Sequence, residues 1–307
     1  MAATRTLQPN YIVKFDLSPR EITNPPVSRT LSCPADASFY QLHKALQIAF
    51  GWATTHAFEF EASRPRPPFP LHPRFQQHPA AAAAAGSAAE AEAEADLPPA
   101  RPLRIVDPDM DPIDFDFSLP GVPTPPKPTE KKSTRFKLRQ FFDDPAYAGY
   151  RMVYNYDFGD CWEHEMTLLG RADDFANANI DADIIDVDDD DDAAVTTNFF
   201  VCVDGTGHHV AEDVGGPIGW ATLKAAYRAE RPDAGERQER RWFERTCSNG
   251  SVLGLEGRMV DEWPRWRINR VLRGRKVLKN FARLRREQQE RRLLEEEEGE
   301  EGEMDVD

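Results

Sequence analysis

Residues 150–169 constrain the fold more than any other stretch of the chain. Two alternating runs, 150–156 and 162–169, flank the tetrad Asp157-Phe158-Gly159-Asp160. That is the pattern of two antiparallel strands joined by a tight turn, with glycine supplying a positive φ. The stretch Y-N-Y-D-F-G-D-C-W-E-H gathers aromatic rings and acidic groups around one histidine. Side chains alternate across a strand, so Asp160, Trp162 and His164 share one face while Cys161, Glu163 and Glu165 take the other. A second dense block, C-V-D-G-T-G-H-H-V-A-E-D-V-G-G-P-I-G-W over residues 202–220, adds Asp204, His208, His209, Glu212 and Asp213.

Other elements follow from periodicity. Residues 11–17 read as a half-buried strand with Tyr11, Val13 and Phe15 on one face, and residues 29–33 as a second. Asp36 or Ser38 caps a helix whose apolar residues Phe39, Leu42, Leu46, Ala49 and Phe50 recur at steps of three and four, and Gly51 ends it. His43 borders that stripe as a packing residue. A strand over 57–61 puts Phe58 and Phe60 on one face. A short helix over 134–142, a strand over 198–203, a turn at Asp204-Gly205 and a helix from Pro217 capped by Asp213 complete the pattern. The fold class is α+β: an antiparallel sheet packed with helices in one discontinuous domain, residues 1–62 and 134–262.

Residues 63–133 turn to proline and alanine, with too few apolar anchors to offset the entropy of ordering, and read as a disordered Pro/Ala-rich insertion. Residues 171–196 form an acidic loop within the domain, 263–293 a basic helix and 294–307 an acidic disordered tail. Residues 181–192 and 295–307 hold 17 of the 53 acidic residues and no Lys or Arg. Without them 36 acidic residues face 38 basic ones, so the body carries a formal +2 against −15 for the whole chain.

The four cysteines lie without a C-x-x-C pair, which argues against a zinc ribbon or a disulfide framework. An N-terminus without an apolar core and the absence of any apolar run of about 18 residues point to a soluble, intracellular protein, nuclear or cytoplasmic, that does not enter membranes. No phosphate-cradling G-x-x-x-x-G-K-[ST], no dinucleotide G-x-G-x-x-G after a strand and no G-x-S-x-G elbow occurs, which excludes the nucleotide and serine-hydrolase chemistry those motifs carry.

Several of these pieces together resemble the plasmid pRiA4b ORF-3-like domain family. The matching residues are Leu42-His43, Phe50-Gly51-Trp52, His56, Phe60, Tyr156-Asp157-Phe158-Gly159-Asp160, Trp162-Glu163-His164, Asp204-Gly205, Glu212-Asp213-Val214-Gly215-Gly216 and Gly219. The resemblance runs from Tyr11 to Ala229 outside the two inserts. It implies a compact α+β domain around an antiparallel sheet, in a family largely of unknown function with some relatives labelled as passengers of mobile elements. Where the family pattern has a cysteine and two prolines before Glu-Asp, this chain has His209-Val210-Ala211. No catalytic assignment carries across.

Two functional readings remain open. In the first, a cleft lined by Trp52, His56, Asp160, Trp162, His164, Glu212 and Asp213 recognises a peptide, protein or nucleic-acid feature, without a cofactor. In the second, the same carboxylates and histidines hold a divalent metal for hydrolysis, with His56, His164, His208 and Glu212 as candidate ligands. Asp160 and His164 stand about 13 Å apart along an extended strand, so such an ion would draw its ligands from several segments. The basic helix is a further surface for protein or nucleic acid. Residues 265–292 hold twelve Lys or Arg against two acidic residues, and the adjacent acidic tail competes for the same face. Oligomeric state is not encoded in any of these features.

Overall fold

The computed structural model describes residues 10–18, 22–64, 101–107, 127–172 and 199–273. In chain order the strands are β1 (Tyr11–Ser18), β2 (Ser28–Cys33), β3 (Phe58–Ser63), β4 (Leu103–Val106), β5 (Thr129–Lys132), β6 (Arg151–Tyr156), β7 (Trp162–Arg171) and β8 (Val201–Thr206). The helices are α1 (Phe39–Phe50), α2 (Arg139–Phe142), α3 (Gly216–Arg228), α4 (Ala234–Arg245) and α5 (Arg265–Arg273). The strands form one sheet in the order β5-β4-β3-β6-β7-β1-β2-β8. Every pairing is antiparallel except that of β4 with β5. The fold is therefore α+β around a mostly antiparallel sheet.

Alternation along β3, β6 and β7 builds one aromatic face. Register aligns Phe60, Tyr154, His164 and Leu17 in one row and Phe58, Tyr156 and Trp162 in the next, and all seven are buried. Such cross-strand pairs are the unit of sheet stabilisation. Helix α1 covers this face: its His43 ring stacks 3.6 Å from Phe58, Phe39 meets Phe60 at 5.0 Å and Phe50 meets His164 at 4.6 Å. The opposite face carries Asn155, Glu163 and Glu165, the solvated side expected of an antiparallel sheet. Helix α1 opens with a capping box, in which Ser38 Oγ accepts the Gln41 N–H and Gln41 Oε1 accepts the Ser38 N–H. It ends at Gly51, as its sequence predicts.

Arg29 ties the far side of the sheet to α1. Its buried guanidinium donates to the carbonyls of Ala49 (2.9 Å), Ser28 (2.6 Å), Thr206 (2.6 Å) and Gly207 (3.0 Å). It lies between the rings of Phe50 and Trp263, 5.4 Å from each. Among the described residues no carboxylate comes within ion-pair distance of it.

The structure corrects several expectations. Strands β4 and β5 lie inside residues 63–133, which read as a disordered insertion. Leu103 and Ile105 are buried against β3, so β4 owes its order to pairing, which four residues among prolines could not announce. Residues 65–100 and 108–126 of that segment lie outside the described residues, as do the aspartate run, residues 274–293 of the basic helix and the acidic tail. Asp204-Gly205 is not a turn but the middle of β8, opposite Thr30 and Arg29. The glycine is needed for close approach, since a Cβ there would stand 2.8 Å from the Ser28 carbonyl oxygen and 3.1 Å from the Trp263 ring. In the β6–β7 turn the left-handed backbone falls on Asp157 (φ 58°) and Cys161 (φ 57°) rather than on Gly159. No helix of the described residues is long and apolar enough to cross a membrane.

Candidate functional site

Three loop segments meet at one end of the sheet: residues 51–57 after α1, the β6–β7 turn at 157–161, and residues 207–215 between β8 and α3. Gly216 (φ 69°) lets the start of α3 touch the turn, because a Cβ there would lie 2.8 Å from the Asp160 carbonyl oxygen. Asp160 Oδ2 accepts the Gly215 N–H at 3.1 Å. Asn249, just after α4, clamps the third segment. Its side chain accepts the Glu212 N–H (2.7 Å) and donates to the carbonyls of Gly51 and Val210 (3.0 Å each).

At the centre, Nε2 of His56 faces three carboxylates: Asp213 Oδ1 at 2.9 Å, Asp157 Oδ2 at 3.5 Å and Glu212 Oε1 at 3.6 Å. Accessibility is graded, with Asp213 57% exposed, His56 18% and Glu212 1%. Glu212 is committed to the protein, since its carboxylate accepts the Ala53 N–H (3.0 Å), the Thr55 hydroxyl (3.0 Å) and the Tyr156 hydroxyl (2.6 Å). Burial raises its pKa above the usual carboxylate range, and those three donors pull it partly back. Burial, then the neighbouring Glu212 charge, hold the Tyr156 hydroxyl protonated far above its ordinary range. Asp157 Oδ1 accepts the N–H groups of Gly159 and Asp160 and shapes the turn.

The residues that the sequence singles out divide between this end and the core. His56, Asp160, Glu212 and Asp213 come together. Trp52, Trp162 and His164 lie beneath them as a buried cluster, so these three side chains pack in the core instead of lining an open surface. His164 Nε2 accepts the Trp52 indole N–H at 3.3 Å while Nδ1 donates to the Tyr154 carbonyl at 3.1 Å, and burial pushes its pKa down to about 3. The rings of His208 and His209 lie 3.9 Å apart, tilted by 33°, at another point of the fold, donating to the carbonyls of His209 and Asn249. Of the candidate ligands His56, His164, His208 and Glu212, the structure thus brings only His56 and Glu212 together. Among the described residues, His56, Asp157 and Asp213 bring their ligand atoms within 4.8 Å of one another, close enough to share a cation. Asp213 pairs with His56 rather than capping α3, whose N-cap is Gly215.

An accessible aromatic and acidic pocket lies beside Asp213, where the second dense motif meets residues outside it. It has a volume of about 270 Å³ and is lined by Asp213, Val214, Gln238, Glu239 and Trp242. Helix α4 supplies three of the five. Phe243 is fully buried, which leaves its neighbour Trp242 half-buried at the pocket wall with Gln238 and Glu239 one turn earlier. Seven of the twelve residues of this helix are charged, and the one signal of a shared face in its sequence is the spacing of Gln238, Glu239 and Trp242.

A family model described as plasmid pRiA4b ORF-3-like protein matches residues 11–249, which take in every residue of the site. Among solved structures the chain is similar to the crystal structure of a protein of unknown function, MM3350, from Methanosarcina mazei Go1. The two are 17% identical over 78% of this chain and 91% of that one, with a TM-score of 0.46. No curated protein matches.

Proposed function

This chain belongs to the plasmid pRiA4b ORF-3-like protein family, and from the site its fold builds we propose that it works as a non-enzymatic interaction module that binds a cationic side chain of a partner protein. The observation that carries the reading is the pocket in which Asp213 and Glu239 stand with the Trp242 ring. Two carboxylates lining one pocket attract a lysine or arginine head, and an indole adds a cation–π contact. Backbone conformation supports a functional origin. Four of the five non-glycine residues with positive φ among the described residues, Thr54, Asp157, Cys161 and Asp213, lie in the segments that form this end. β-Branched Thr54 is the costliest of them, and strain of this kind runs to about 1 kcal/mol or more per residue.

Isothermal titration with a short arginine-rich peptide tests the reading. Asp213→Asn with Glu239→Gln is expected to weaken binding at least about tenfold, and Trp242→Ala about fivefold. Equal affinity for wild type and Trp242→Ala would reduce the interaction to the attraction of an acidic chain for any polycation and end the proposal.

A second reading, a divalent cation at His56, Asp157 and Asp213 serving hydrolysis, is favoured by the convergence of those three ligand atoms. Elemental analysis after reloading with zinc or manganese separates the two. One ion per chain, lost in His56→Ala and kept in Trp242→Ala, would put the metal reading first; no stoichiometric ion would leave the pocket reading standing.

A further inference from the structure

Independently of the Asp213 pocket, we propose that the outer face of α5 is a docking surface for single-stranded nucleic acid. The helix is anchored, not loosely appended. Ile268, Asn269 and Leu272 are buried, and Asn269 exchanges two hydrogen bonds with the backbone of Cys202 on β8, at 2.7 and 2.9 Å. Arg265 adds a bond to the Val203 carbonyl at 3.2 Å. Anchoring fixes which residues face outward, and these are Trp266, Arg267, Arg270 and Val271.

Their chemistry is specific. Trp266 is 65% exposed, with the Arg267 guanidinium 5.8 Å from its ring and Arg270 one turn further along. Among the described residues neither arginine has a carboxylate within ion-pair distance. An exposed indole flanked by guanidinium groups matches a ligand that offers both a π-face and phosphates. An acidic protein would satisfy the arginines alone. A duplex keeps its bases stacked and out of reach of the indole, which favours a single strand. The sequence continues the charge, with twelve Lys or Arg between Arg265 and Arg292 against two acidic residues.

The test uses the full chain and a fluorescein-labelled oligothymidine of about 20 nucleotides, followed by anisotropy across a salt series. Binding at about 50 mM salt is expected, weakening steeply as salt rises. Trp266→Ala is expected to weaken it about tenfold. Arg267→Gln with Arg270→Gln should flatten the slope of log affinity against log salt by about 1.4, at roughly 0.7 for each phosphate no longer neutralised. All three side chains are exposed, so circular dichroism should be unchanged and a binding loss is not a folding loss. The proposal is overturned by no binding at low salt, by equal or tighter binding of the matching duplex, or by an affinity indifferent to Trp266→Ala. Binding that emerges only after removal of residues 294–307 also overturns it, since the acidic tail is then the occupant of this face.

Discussion

Replacing Arg29 with alanine is expected to cost about 4 kcal/mol of folding stability, read from the shift of a urea midpoint at constant slope. The side chain fills space between Phe50 and Trp263 and serves four carbonyl oxygens from β2, the last turn of α1 and the end of β8. Alanine opens a cavity and leaves several of those carbonyls buried without a donor, and the two penalties add. Burial lowers the Arg29 pKa to about 10, so the group remains charged at neutral pH. Its charge is met by backbone dipoles, including the negative end of α1, instead of a carboxylate. Lysine does not rescue the site, because a point charge with three donors cannot span four carbonyls in a plane or stack between rings; a loss of about 2 kcal/mol is expected for Arg29→Lys. A cost below about 1 kcal/mol for alanine would show that the carbonyls find other donors.

The second large effect is acid lability. Burial pushes His164 and His209 down to about 3 and lowers His208 as well, against an ordinary value of 6.5. Each therefore binds fewer protons folded than unfolded once pH drops below 6.5. Their contribution to stability is complete above that value and is lost progressively as pH falls toward 3. At about pH 5.5 the loss is set by the unfolded value alone, and His164 and His209 together account for about 3 kcal/mol relative to pH 7.5. Glu212, with its pKa raised, works in the opposite sense. Urea unfolding at the two pH values checks this, and equal or higher stability at the lower one would contradict it. Protonating His164 is costly for a further reason: its Nε2 already accepts the Trp52 indole N–H, and an imidazolium would set two donors against each other.

Much of the fold is legible because local rules agree with global ones. The capped helix α1, the β6–β7 hairpin and the paired Phe58 and Phe60 all follow from periodicity, and the packing respects it. The misreadings share one physical cause, which is that tertiary contacts overrode a local signal. Asp-Gly is a strong turn dipeptide, yet Gly205 exists to admit Arg29 and Trp263. Strand β4 draws its order from β3. At the site, the acidic half was visible in the sequence because Glu212-Asp213 and Asp157 sit among glycines. Trp52 and Trp162 stand in conspicuous motifs and pack in the core, whereas Trp242, on a helix rich in charge, lies at the pocket. Only burial distinguishes them.

The strand register also divides the sheet into two ends of unequal freedom. The starts of β3 and β7 and the ends of β6 and β8 lie at the end that holds His56. The chain leaves β3 at Ser63 and β7 at Arg171, and enters β4 at Leu103 and β8 at Val201, all at the other end. The two longest inserts therefore depart from and return to the side farthest from the acidic cluster. Closing a loop of twice the length costs only about 0.6 kcal/mol more, so a longer connection or a fused tag at that end is expected to leave the geometry around His56 unchanged.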